Sequence, residues 1–104
     1  MKKDIAGFSV DVTEEGYLVS SAQWNKDIAA AIAKELGLGD LTPGHWKVIE
    51  FLQKDFAETG KIPTIRRVNK VGNIGTQELY ALFPEGPLLK ATKVAGMSKP
   101  VSCV

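Results

Sequence analysis

The chain carries one cysteine, Cys103, next to last in the run Met97-Ser98-Lys99-Pro100-Val101-Ser102-Cys103-Val104. A thiolate is a nucleophile and a sulfur acceptor, and its reactivity depends on access and on nearby charge. Lys99 favours the thiolate and a carboxylate on Val104 opposes it, so the sequence assigns no direction to the thiol pKa. The bland alternative is a stray cysteine on a frayed end, because chain ends tolerate change. The one histidine, His45, opens an amphipathic run after Thr42-Pro43-Gly44. Proton transfer toward Cys103 is one reading; a packed or surface imidazole is the simpler one, since a helix N-terminus disfavours the protonated ring. A lone histidine and a lone cysteine are too few ligands for a metal. We expect neither a metal nor a cofactor.

The remaining reactive character is basic. Lys61, Arg66, Arg67 and Lys70 cluster in one segment, and Lys90, Lys93 and Lys99 border the tail. The net charge of +1 hides an asymmetry: residues 1–60 carry six Lys/Arg against ten Asp/Glu, and residues 61–104 carry seven against two. A basic C-terminal part suits an anionic partner, whether an acidic protein surface, a sulfur oxyanion or a nucleic acid, although short chains reach such splits by chance. Arg66 and Lys70 share a helix face at i, i+4 spacing while Arg67 points elsewhere.

These residues need elements to hold them. Phe8-Ser9-Val10-Asp11-Val12 alternates apolar and polar side chains, and Tyr17-Leu18-Val19 follows Thr13-Glu14-Glu15-Gly16. We expect a β-hairpin from these two runs, with Phe8, Val10 and Val12 on one face resting on helices. Ser20 and Gln23 predict a capping box for a first helix over about 21–36, with Trp24, Ile28, Ile32 and Leu36 inward. Gly37-Leu38-Gly39-Asp40-Leu41 is a turn, not a phosphate-binding loop, because it lacks the Gly-Lys-Ser/Thr ending. Thr42 and Pro43 start a second helix, with Trp46, Ile49, Leu52 and Phe56 as its buried stripe and Gly60 as its stop.

Thr64 caps a short third helix, Ile65 to Val71, and the turn at Gly72–Gly75 leads into a fourth, Gln77 to Phe83. This pair resembles a helix-turn-helix unit. Pro87 starts a fifth helix, with Leu88, Leu89, Ala91 and Val94 inward, which ends near Ala95. Gly96 suits a left-handed helix stop and Pro100 forbids the helix from resuming, so Cys103 is expected on an extended arm. The expected architecture is α+β and mostly α: a single domain over 1–104, with a hairpin in 1–20, a helical body of about five helices in 21–95 and the arm in 96–104.

Composition agrees with this plan. At 44% apolar and 24% charged, the 104 residues match a soluble globular domain with a modest core. No run of about 18 apolar residues and no charged-then-apolar leader is present. A working thiol suits a reducing compartment, and a cytoplasmic location is expected.

Several ordered motifs resemble the DsrC/TusE family, which includes the gamma subunit of dissimilatory sulfite reductase and the sulfur-relay proteins of tRNA thiolation. They are Gln23-Trp24-Asn25, His45-Trp46-Lys47-Val48-Ile49, Pro63-Thr64-Ile65-Arg66, Leu79-Tyr80-Ala81-Leu82-Phe83-Pro84-Glu85-Gly86-Pro87, and the stretch Lys90 to Val104. The resemblance spans about Gly7 to Val104. It implies a sulfur carrier that holds a persulfide on Cys103. Members serving sulfite reductase have a second cysteine eleven residues earlier, where this chain has Thr92, and they are longer after Lys70. A chain with one cysteine cannot close a disulfide or bridge a trisulfide within itself, which points to the single-cysteine relay branch.

The resemblance further implies a sulfur-donor complex of small sulfurtransferase subunits and an acceptor, either a tRNA 2-thiouridylase or a sulfite-reductase-type enzyme. Arg66 occupies the arginine of the family's Pro-x-x-Arg, and a guanidinium suits an oxyanion or carboxylate. Arg66, Lys70, Lys93 and Lys99 are the candidate arm or partner contacts. Two rival functions remain at this point. One is a helix-turn-helix nucleic-acid module using Arg66, Arg67 and Lys70 on phosphates, weakened by the near-neutral net charge. The other is a non-catalytic accessory subunit of sulfite reductase with an idle thiol.

Overall fold

Two short strands open the chain, Lys2–Ile5 (β1) and Phe8–Asp11 (β2), paired antiparallel in the register Lys2 to Asp11 and Ile5 to Phe8. The structure, a computed structural model, describes residues 1–99. The two-residue turn between the strands has Ala6 at φ 53° and Gly7 at φ 84°, the pair of positive values a tight hairpin turn demands. This corrects the expected hairpin. β2 is where the alternation puts it, but its partner is the preceding segment, and Tyr17–Val19 contributes only a bridge between Val12 and Leu18. Gly16, at φ 91°, does close that second loop. Val10 and Val12 are buried as expected, whereas Phe8 is 46% exposed and Ile5 takes its inward place.

Five helices follow: Lys26–Glu35 (α1), Pro43–Thr59 (α2), Ile65–Lys70 (α3), Thr76–Leu82 (α4) and Pro87–Val94 (α5). The first begins later than the sequence predicts. Ser21–Gln23 forms a separate 3₁₀ turn, and the α1 cap is Asn25, whose Oδ1 accepts the Ile28 N–H at 2.9 Å. The predicted Ser20–Gln23 box does not form because the Gln23 amide is used elsewhere: its Oε1 accepts the Asp11 N–H at 2.9 Å and so ties this turn to β2. The α2 start is as read. The Thr42 hydroxyl accepts the His45 N–H, and His45 Nδ1 accepts the Thr42 N–H at 3.0 Å, which is a capping box with histidine in the usual Glu/Gln place. Gly60, at φ 75°, ends the helix.

The core joins Ile28, Ala29, Ile32 and Ala33 of α1, Val48, Ile49 and Leu52 of α2, and Leu88, Ala91 and Val94 of α5. Val68, Ile74, Leu79 and Phe83 close it from the α3–α4 side. Two expected inward residues face outward instead: Phe56 and Leu89 are both more than 40% exposed. In α2 the buried stripe runs through Val48, Leu52 and Asp55, one position round the helix from the expected Phe56. In α5 the inward place goes to Thr92, which is fully buried. No helix is long and apolar enough to cross a membrane among the described residues.

Candidate functional site at the foot of the C-terminal arm

A helix must stop before an arm can begin, and here the stop is held from three sides. Gly96 adopts φ 72°, the Met97 N–H returns to the Thr92 carbonyl at 2.9 Å, and the Gly96 N–H reaches the Lys93 carbonyl at 3.3 Å. Those two bonds are the glycine-based helix stop of the Schellman type. The next two carbonyls, which in most helices are left to water, are capped by side chains. Trp24 Nε1–H donates to the Val94 carbonyl at 2.8 Å, and Gln53 Nε2–H donates to the Ala95 carbonyl at 2.8 Å. The Trp24 ring also lies against Gly96, where an added Cβ would fall 2.4 Å from its Cδ1 and 2.6 Å from its Cγ. Glycine is required twice, by backbone angle and by space.

Beyond Gly96 the chain stays anchored. Met97 is buried, Ser98 and Lys99 are exposed, and Lys99 Nζ pairs with Glu15 Oε2 at 2.7 Å. Beside this exit runs an open groove of about 480 Å³ whose walls include Leu18, Trp24, Phe56, Ala57, Met97 and Ser98. Cys103 and the rest of the expected arm, residues 100–104, lie outside the described residues.

Lys93 and Lys99 are brought together at the same end of α5. Lys93 Nζ stands 4.9 Å from the centroid of the Tyr17 ring, and the Tyr17 hydroxyl donates to the Leu89 carbonyl at 3.0 Å. Burial raises the Tyr17 pKa above 10.0; Glu15 adds to the rise, while the Thr92 hydroxyl and Lys99 pull against it. The phenol is therefore a neutral donor on which the lysine stacks. Arg66 and Lys70 stand exposed on α3, a different element from the arm root.

Between them Arg67 is turned back onto α2. Its Nε and Nη2 donate to the Asp55 carboxylate at 2.7–3.0 Å, and that hydrogen bonding holds the guanidinium pKa above its usual value. One of the three cations of the nucleic-acid reading is thus committed to a buried carboxylate, and α4 offers Glu78 in its first turn. His45 is packed, not poised. Nδ1 is taken by Thr42, so Nε2 carries the proton and donates to the Leu82 carbonyl at 2.8 Å, with Phe83 edge-on at 5.1 Å. Thr92, in the place of the missing cysteine, is equally closed: its hydroxyl donates to the Leu88 carbonyl at 2.6 Å.

Sequence reasoning missed the clamp of Trp24 and Gln53. A signal existed for the first, because a buried indole N–H needs an acceptor, but its acceptor lies 70 residues away. Gln53 sits mid-helix with nothing local to mark it.

A short hairpin packed on five helices, the last of them stopped and braced from two other parts of the chain, defines a small α+β domain, and the family match is direct. The chain belongs to the DsrC-like protein family, whose model matches residues 4–104. It is 39% identical over 105 residues to sulfurtransferase TusE of Escherichia coli strain K12, covering 94% of this chain and 95% of that protein. A TusE homologue of Haemophilus influenzae is 41% identical over 110 residues, covering 97% and 98%. Among solved structures, the NMR structure of Allochromatium vinosum DsrC superposes with a TM-score of 0.82 at 35% identity, covering 99% of this chain and 97% of that one.

Proposed function

We propose that the protein is a sulfur carrier of a sulfur relay and that Cys103 bears the sulfur. The observation that supports it most is that the family match runs through residue 104 and so includes the chain's only cysteine. In the step we assign, the Cys103 thiolate attacks the terminal sulfur of a donor persulfide, a new S–S bond forms as the donor's S–S bond breaks, and the donor leaves as a thiolate. The proton of the persulfide travels with the transferred sulfur, and no net oxidation occurs. A second exchange of the same kind passes the sulfur on.

The donor is a persulfide-bearing sulfurtransferase, and the acceptor is a thiouridylase or a sulfite-reductase-type enzyme. With a single thiol the relay setting is favoured, in a reducing compartment such as the cytoplasm. Arg66 and Lys70, free-standing on the exposed side of α3, and Lys93 and Lys99 at the arm root are the charges through which an acidic partner surface is recognised. The commitment of Arg67 to Asp55 argues against the helix-turn-helix reading.

The test is intact-mass spectrometry after incubation with a cysteine desulfurase, cysteine and a small sulfurtransferase. Wild type should gain about 32 Da, lost again on thiol reduction, and Cys103→Ser should gain nothing. No gain on wild type from donors verified to carry persulfide, or an equal gain on Cys103→Ser, overturns the proposal.

A further inference from the structure

The root of the arm is held by side chains from other parts of the body as well as by the hydrogen bonds of its own helix. All the carbonyls from Ala91 to Ala95 have partners: Ala95, Met97 and Gly96 N–H groups serve Ala91, Thr92 and Lys93, and Trp24 and Gln53 serve Val94 and Ala95. The two side-chain caps come from different parts of the body. Trp24 precedes α1, and Gln53 stands in the middle of α2. Both are half-buried and also line the groove beside the exit. The hold continues past the helix through buried Met97 and the Lys99–Glu15 pair.

We infer that Trp24 and Gln53 are positioning residues for sulfur transfer, because they fix the point from which the cysteine-bearing arm departs; this rests on Cys103 as the sulfur-bearing residue. With the root held to Lys99, Cys103 is four residues away and is confined within about 14 Å of that anchor. With the caps lost and the chain loosened from Val94 onward, nine residues separate anchor and thiol, and the radius grows to about 31 Å. The volume available to the thiol rises with the cube of that ratio, so its effective concentration at a docked donor's persulfide falls about tenfold. The contacts that Arg66, Lys70 and Lys93 make from the helices stay in place, so affinity for the donor changes little.

Trp24→Phe removes the indole donor and keeps an aromatic ring against Gly96. Gln53→Leu removes the amide donor at similar volume on a half-exposed helix face, so it folds even where the tryptophan variant does not. Each variant, and the pair together, is mixed with a pre-persulfidated sulfurtransferase in single-turnover transfer over a range of donor concentrations, and Cys103 is separately titrated with a small aromatic disulfide. The inference expects the saturating transfer rate to fall severalfold in each single variant and about tenfold in the pair, with half-saturation unchanged. Reaction with the small disulfide stays within about twofold, since a merely structural role would leave the transfer-to-reagent ratio intact.

Transfer at the wild-type rate in folded variants overturns the positioning role. A change confined to half-saturation overturns it too, by showing that the groove binds the donor. If wild type accepts no sulfur, or Cys103→Ser does, the carrier reading itself has failed; loading on Cys103 with indifferent variants removes this inference alone.

Discussion

Gly96→Ala is the substitution on which the arm-root description is most exposed. Two costs are built into the position. The backbone sits at φ 72°, where an alanine costs about 1 kcal/mol relative to glycine. The new Cβ would also fall 2.4, 2.6 and 2.8 Å from Cδ1, Cγ and Cβ of Trp24. These are atoms near the root of a side chain whose far end is held to the Val94 carbonyl, so the ring cannot swing clear without losing that bond. Overpacking of this kind costs about 1–3 kcal/mol. The total is about 2–4 kcal/mol, or a fall in Tm on the order of 10–20 °C for a domain of this size.

Urea unfolding followed by far-ultraviolet circular dichroism measures the penalty, and repeating it in a Trp24→Ala background separates its parts. With Cγ and Cδ1 gone, the 2.4 and 2.6 Å approaches disappear and only the backbone cost and the 2.8 Å approach to Cβ remain, so the penalty falls and the two substitutions couple by about 1–2 kcal/mol. A penalty below about 0.5 kcal/mol, or the same penalty in both backgrounds, refutes the account of Gly96 as required by both angle and space.

Arg67→Ala strips three hydrogen bonds from Asp55, whose side chain is only 3% exposed, and is expected to lower the thermal unfolding midpoint because it leaves that buried carboxylate without its partner. Arg66→Ala should stay within about 0.5 kcal/mol; equal effects of the two would contradict the split between a structural and a surface arginine. Tyr17 ionises above 10.0, chiefly because burial strips water from the phenolate. The folded state keeps this proton to a higher pH than the unfolded state, so the stabilisation is whole below 10 and is lost as pH rises through the raised value. The near-ultraviolet absorbance titration of wild type minus Tyr17→Phe should therefore have its midpoint above 10.0, and a midpoint at or below it would refute the burial argument. Thr92→Cys, made with Cys103→Ser, places a thiol at a fully buried site. It should react with an aromatic disulfide about a hundredfold more slowly than Cys103 in wild type, and comparable rates would show that α5 opens readily.

What the sequence makes legible follows from how local each cause is. The starts and stops of α2 and α5 are written in neighbouring residues, Thr42-Pro43, Gly60, Pro87 and Gly96, and the structure honours all of them. β1 is not legible, because Lys2-Lys3-Asp4 carries no apolar alternation and becomes a strand only through pairing with β2. Asp55 reads as a surface carboxylate on a helix; it is buried because Arg67, twelve residues on, supplies a bidentate partner from α3. At the site, the lysines near the tail are visible as charges, but the stacking of Lys93 on Tyr17 and the pairing of Lys99 with Glu15 depend on the loop before α1 folding back over α5. The clamp of Trp24 and Gln53 lies deepest in tertiary structure, at separations of 70 and 42 residues.

The chemistry of a one-thiol carrier explains why the root of the arm matters more than the tuning of its cysteine. When sulfur passes between two cysteine persulfides, the bond broken and the bond formed are of the same kind, so the exchange has little intrinsic driving force and its rate depends on nucleophilicity and access. A strongly lowered thiol pKa would bring little gain, since nucleophilicity falls as the pKa falls. Neither His45 nor Thr92 is placed to assist: the first has both ring nitrogens engaged and the second returns its hydroxyl to its own helix. What the body can contribute is geometry, by confining the thiol near a docked partner and by choosing that partner chiefly through Arg66, Lys70 and Lys93 on the helices. On this reasoning the selectivity of the carrier resides in its helices and the speed of transfer in the anchorage of the arm, and substitutions at the two places should separate affinity from rate.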